Sequence, residues 1–358
     1  MATVYVGTYT QTEAHVKGKG EGIYHYDFDP ESASLTLKGI TTGIVNPSYI
    51  ALGPEGRTLY AVSEVLHYEG RPGGAVYAFA VDPSTHELAL INRQRSEGAA
   101  PCYVSVEGGH VLVANYMGGT VAVLQIRPDG SLGKVTDAVQ HVGSSVNTAR
   151  QEAPHPHCIV PDRSGRFVHI ADLGTDQVVS YRFDHGSGVL AEGPKPVQLQ
   201  PGAGPRHLTF DAAGRFAYLM NELDSTVTLL SYESATGQLR IVDTFRALPE
   251  DFAGTPSGAD IHVSPSGSFV YGSLRSIGRI VHFAVEADSG RLRRIGLEST
   301  RGRTPRNFGI DPTGSSLFAL NQDSDTIVMF RIDSATGVLT PTAAMTDVPS
   351  PACIRFFR

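Results

Sequence analysis

Apolar and polar residues alternate with a period of two along most of this chain, the spacing of strands that bury one face. The run PSYIALGPEGRTLYAVSE, from Pro47, holds an alternating strand, a turn at Gly56 and a second, more continuously apolar strand. The plan returns in PCYVSVEGGHVLVANYMGGTVAVLQI from Pro101, PHCIVPDRSGRFVHIADLGTDQVVSYRF from Pro156 and PRHLTFDAAGRFAYLMNELDSTVTLLSY from Pro205. It returns again in GADIHVSPSGSFVYGSLRSIGRIVHFAV from Gly258 and PRNFGIDPTGSSLFALNQDSDTIVMFRI from Pro305. Successive starts are 54, 55, 49, 53 and 47 residues apart, a spacing that marks propellers or solenoids. Each copy reads strand, turn, strand, turn, strand, and polar segments such as DSATGVL at 333–339 open a fourth strand. β-Branched and aromatic residues favour strands, and Gly56, Gly165, Gly214, Gly267 and Gly314 supply permissive backbone at the first hairpin of their copies. No helical periodicity competes.

The chain ends complete the count. PACIRFF at 351–357 matches the first strand of a copy, and TVYVGTYT and GIYHYDF near the N-terminus match the second and third. Six whole copies and one divided copy predict an all-β, seven-bladed propeller spanning residues 1–358 as a single domain, its last blade joining both chain ends. The absence of Trp removes a WD-repeat reading. Polar segments at 137–154 and 249–257 are expected as loops over one face.

Composition agrees with a turn-dense β protein: of 358 residues, 39 are Gly and 22 Pro, and only 18% are charged. The net charge of −7 offers no basic field to nucleic acid or an anionic membrane. Cys102, Cys158 and Cys353 lack CxxC spacing and cannot all pair, which fits a reducing compartment and buried thiols. The N-terminal MATVYVGTYT alternates like a strand with no basic segment followed by an apolar stretch, so no signal peptide is expected, and no apolar run approaches the ~18 residues of a membrane helix. The expectation is a cytoplasmic monomer or dimer without nucleic-acid or membrane partners.

Propellers place sites at one mouth of the central channel, where equivalent positions of all blades converge. The residue after the opening one is Ser48, Cys102, His157, Arg206, Ala259, Arg306 and Ala352 in successive copies. The residue just past the second strand is Glu64, Tyr116, Leu173, Glu222, Arg275, Gln322 and, in the divided copy, Tyr9. Residues more than 200 positions apart would therefore meet around one ring. Guanidiniums there can grip phosphate or carboxylate, a His can move a proton near neutral pH, and a carboxylate can orient water or act as a base. The bland alternative is a set of ion pairs that locks neighbouring blades together.

His155 and His157 lie two apart, yet no third ligand follows at a metal-motif spacing, so neither a metal nor any other cofactor is expected. His169, His262 and His282 read as packed or surface residues, Asp172, Asp176 and Asp224 as turn caps, and Tyr49 and Tyr103 as packing of the innermost strands.

At these residues the sequence resembles, end to end, the 6-phosphogluconolactonase / carboxymuconate cyclase family of seven-bladed propellers. The resemblance is carried by YVGTYT at 5–10, GIYHYDFD at 22–29, NPSYIALGPEGRTLYAVSE at 46–64, RQEAPHPHCIVPD at 150–162, DLGTDQVVSYRFD at 172–184, GAGPRHLTFDAAGRFAYLMNEL at 202–223 and TPRNFGIDPTG at 304–314. It implies a His, an Arg, a Glu and a second Arg at the channel mouth, which fall on His155 or His157, Arg206, Glu222 and Arg275. One departure is GSLR at 272–275, where the family commonly reads SNR before the next strand.

The resemblance makes metal-independent hydrolysis of a small anionic lactone, 6-phosphogluconolactone, the leading expectation. Arg206 with Arg275 or Arg306 would hold phosphate or oxyanion, and Glu222 or a His would activate water. Glu64, Tyr9, Tyr116 and Gln322 join Arg306 as expected substrate contacts. Carboxymuconate cyclisation, hydrolysis of another sugar lactone and a non-enzymatic interaction scaffold are the alternatives.

Overall fold

The computed structural model describes residues 2–357. Seven sheets, each built on four antiparallel strands, stand around a central channel. The innermost strands of the first six blades are Ile50–Leu52, Pro101–Glu107, Pro156–Pro161, Pro205–Phe210, Gly258–Val263 and Pro305–Ile310. The seventh blade takes its inner strand, Pro351–Phe356, from the C-terminus and its next strands, Ala2–Thr8, Ile23–Asp29 and Ser34–Thr41, from the N-terminus. Val6 pairs with Ile354 and Gly7 with Cys353, so the two ends close the ring by backbone hydrogen bonds. Each inner strand packs against those of both neighbouring blades.

Burial explains the sequence pattern. Second strands such as Thr58–Ser63, Phe167–Asp172 and Ser316–Asn321 are buried along their whole length, whereas outermost strands such as Leu88–Arg95 alternate between partly buried and exposed positions. A tyrosine on the second strand repeatedly reaches the next blade's outer hairpin. The hydroxyls of Tyr60, Tyr218 and Tyr271 donate to the carbonyls of Gly130, Gly290 and Gly337 at 2.9, 3.0 and 2.9 Å. Gly165, Gly214, Gly267 and Gly314 turn the inner hairpins with φ between 66° and 77°, where a Cβ would be strained. The segment expected as a loop from 137 is strand as far as Gln140, because its residues complete the outer edge of the second blade. Residues 141–155, between the second and third blades, form the connection.

Two local devices aim side chains into the channel. Asn46, Ala100, Gly204, Thr304 and Ser350 all have positive φ immediately before the proline that opens a blade, which turns the chain sharply inward. A β-bulge then follows. Pairing skips Cys102, His157, Arg206, Arg306 and Ala352, and in the fifth blade Ala259 and Asp260. A bulge frees a residue from the pleat and redirects it.

Candidate active site

At one end of the channel several of the bulged residues and of those closing second strands line a cavity of about 470 Å³; Arg206 stands behind it, in a narrow gap bordered also by Cys102, His157 and Arg306. His157, Cys102 and Arg306 reach the cavity from inner strands, and Glu64, Tyr116, Glu222 and Arg275 from second-strand ends. Its outer wall adds Glu13 and His15 from a hairpin at 12–17 and Arg150 from the connection between the second and third blades.

Glu222 is the hub. Its Oε2 accepts from Arg206 Nε at 3.0 Å and lies 2.9 Å from Arg275 Nη2, and its Oε1 accepts from Arg150 Nη2 at 2.6 Å. Burial alone would raise the carboxyl pKa; Arg275, Arg206 and Arg150 together hold it well below the ordinary range. Arg206 is 1% exposed, and burial, with Arg275 and Arg306 beside it, brings its own pKa down to about 10. Its Nη1 donates to the Ala259 carbonyl at 2.8 Å and contacts His207 Nε2 at 3.3 Å. Nη2 makes no hydrogen bond among the described residues.

Arg306 differs from its neighbours. Its guanidinium lies 5.3 Å from the Tyr9 ring centroid and has no hydrogen bond or ion pair among the described residues. Arg275 keeps a buried Nε without a partner. His157 is buried, with Nδ1 3.7 Å from Cys102 Sγ, and burial followed by the charge of Arg206 holds the imidazole neutral by lowering its pKa well below 6.5. Glu64 accepts from Tyr9 at 2.9 Å and from Ser48; burial outweighs these bonds and the attraction of Arg306 and raises its pKa.

The two histidines of the HPH stretch part ways. His157 lines the cavity. His155 stacks under Tyr116 with ring centroids 4.5 Å apart, its Nδ1 2.9 Å from the Tyr116 carbonyl and its Nε2 3.1 Å from Glu152. Both of its ring nitrogens are thus engaged off the cavity wall. Tyr9 and Gln322 also stand behind the wall: Tyr9 is fully buried against Glu64 and Arg306, and Gln322 donates to Asp323 at 2.9 Å. No group of three His, Cys, Asp or Glu side chains converges on a metal position among the described residues.

Arg150 and His15 were not among the expected site residues. Arg150 opens the RQEAPHPHC stretch that carries part of the family resemblance, a usable signal. His15 sits on a hairpin outside every repeat position, and nothing in the blade pattern marks it.

A second cavity of about 250 Å³ opens at the other ends of the same inner strands, against Pro161, Phe210, Ile261, Tyr49 and Tyr103. Tyr49 and Tyr103 stack at 4.1 Å, as innermost-strand packing requires. Asp260 lines this second cavity and accepts from His207 Nδ1 at 2.7 Å, from His262 Nε2 at 2.8 Å and from Asn307.

A seven-bladed propeller with an arginine–glutamate–histidine cavity at one channel mouth is thus defined by fold and site together. The chain belongs to the lactonase family of seven-bladed β-propellers, whose family model matches residues 3–356. It is 36% identical over 354 residues to a 6-phosphogluconolactonase of Bacillus subtilis, covering 98% of this chain and 97% of that one. A 6-phosphogluconolactonase of Formosa agariphila is 31% identical over 342 residues, with 94% of each chain covered. Among solved structures, the periplasmic gluconolactonase of Pseudomonas aeruginosa superposes with a TM-score of 0.92 at 34% identity, covering 99% of this chain and 98% of that one. No helix among the described residues is long and apolar enough to cross a membrane.

Proposed function

We propose that this chain is a lactonase that hydrolyses 6-phosphogluconolactone to 6-phosphogluconate in the cytoplasm. The observation that carries the reading is a neutral His157 in one cavity with Arg306, which has no bonding partner among the described residues, and Arg275, whose Nε is unpaired, while Arg206 keeps Nη2 free in the narrow gap that Cys102, His157 and Arg306 share with it. A dianionic phosphate seats on the guanidiniums of Arg150 and Arg306, while the lactone carbonyl points to Arg206, Arg275 and His157.

Glu222 is a poor base, since three arginines stabilise its ionised form. Its role is to fix those arginines. His157 is the proton acceptor of the reaction: it lines the cavity unprotonated at neutral pH, and although its lowered pKa makes it a weak base in the free chain, the charge of the bound phosphate raises its proton affinity. Water attacks the lactone carbonyl carbon as His157 takes its proton. The tetrahedral oxyanion rests on Arg206 and Arg275, the ring carbon–oxygen bond breaks, and the proton passes to the departing ring oxygen. The three buried, unpaired cysteines suit a reducing compartment.

His157→Gln discriminates between the two candidate bases. It should lower kcat by about 10² or more while Glu222→Gln disturbs KM as well; an unchanged kcat in His157→Gln would return the base role to Glu222.

A further inference from the structure

Arg206 keeps one nitrogen, Nη2, uncommitted in the narrow gap it shares with His157 and Arg306, and the way the other two are spent points down the channel, away from the 470 Å³ cavity. Its Nε is held by Glu222, and its Nη1 by the Ala259 carbonyl and by His207 Nε2. Nη1 is a donor, so the contact at 3.3 Å requires His207 Nε2 to be bare and the ring proton to sit on Nδ1. Nδ1 in turn faces Asp260 Oδ1 at 2.7 Å. A carboxylate accepts and cannot donate, and therefore selects that tautomer. His262 and Asn307, together with the backbone N–H of Ile261, also point donors at Asp260 and keep it ionised.

We propose that Asp260 is a positioning residue for the reaction. Through the His207 tautomer it completes the donor pattern of Arg206 and fixes the guanidinium plane so that Nη2 faces the reacting ester. Asp260 touches no part of the 470 Å³ cavity; it lines the cavity at the opposite end of the channel. Four consecutive side chains, His262, Asp260, His207 and Arg206, thus run from that end towards the reacting end. The proposal rests on the lactonase reading for its kinetic consequence but not for its tautomer.

Two measurements on the full chain test it. Nitrogen-15 NMR of histidine-labelled protein should find His207 with its proton on Nδ1, and Asp260→Asn should shift it toward the Nε2 form. A wild-type His207 protonated on Nε2 would overturn the proposal even if the chain hydrolyses no lactone. In kinetics, His207→Gln sets an amide oxygen near the position of Nε2 and should keep most of the rate, whereas His207→Asn and Asp260→Asn should lose about tenfold in kcat with KM little changed. Equal loss in His207→Gln and His207→Asn, or an unchanged kcat in folded Asp260→Asn, would mean a purely structural role. A wild-type chain inactive on 6-phosphogluconolactone would contradict the lactonase reading, and the tautomer would still decide this one.

Discussion

The Nε of Arg206 and Oε2 of Glu222 lie 3.0 Å apart at the channel mouth, both almost wholly buried, although 16 residues of chain separate them. One residue is redirected by the bulge of the inner strand and the other closes the second strand of the same blade. The pair binds two strands together and sets Arg206, the only fully buried arginine among the described residues, beside His157.

Glu222→Gln should therefore weaken both chemistry and fold. Three guanidiniums lose their shared counter-charge, and kcat/KM should fall at least about tenfold. Because the folded carboxyl pKa lies below its unfolded value, the charge contributes stability above an ordinary pKa of about 4.3 and loses it as pH falls further. Thermal melts should show wild type the more stable at pH 7, with the gap narrowing below about pH 4.

Arg306→Gln separates binding from folding. Its guanidinium is committed to no ion pair among the described residues, so Tm should hardly move, while KM should rise at least about tenfold. The stabilisation that 6-phosphogluconate gives the wild type should shrink in parallel, as read by thermal shift. A variant with wild-type KM and the full ligand-induced shift would take Arg306 off the phosphate.

Buried histidines make stability depend on pH in a defined direction. Burial lowers His157 well below 6.5 and His169, His207 and His282 to about 4. All four stay neutral in the folded chain under conditions that protonate them once unfolded. Their contribution is complete above about pH 6.5 and declines as pH falls toward their folded values. Tm should drop between pH 7.5 and 5, and His169→Gln, remote from the cavity, should flatten part of that slope. A Tm constant across the window would contradict the burial account.

Ring closure rests on the strand Pro351–Phe356, paired to Ala2–Thr8 and bonded to the sixth blade where Ile354 N–H meets Asn307 Oδ1 at 3.0 Å. A chain ending at Ser350 exposes the open edges of the seventh blade. Its Tm should fall by at least about 5 °C, with aggregation through the freed edge; an unchanged Tm would contradict the closure.

The blades and the ring were legible because symmetry repeats them. A position that is filler in most copies but Arg206, Arg306 or His157 in others stands out once copies are aligned, and second-strand ends bring in Glu64, Glu222 and Arg275. Features that break the repeat were not legible. His207 and Asp260 each lie one residue past the aligned position, inside the channel, where the bulge determines which way a side chain turns. The separation of His155 from His157 depends on Tyr116 stacking over one ring, and His15 reaches the cavity on a hairpin that no blade pattern contains.

The most direct test of the account is the hydrolysis of 6-phosphogluconolactone, generated in situ and corrected for its spontaneous opening, by the purified chain. The account predicts a saturable rate above background, inhibited by 6-phosphogluconate. A folded chain that leaves the spontaneous rate unchanged, and instead cyclises carboxymuconate or opens only other lactones, would contradict it.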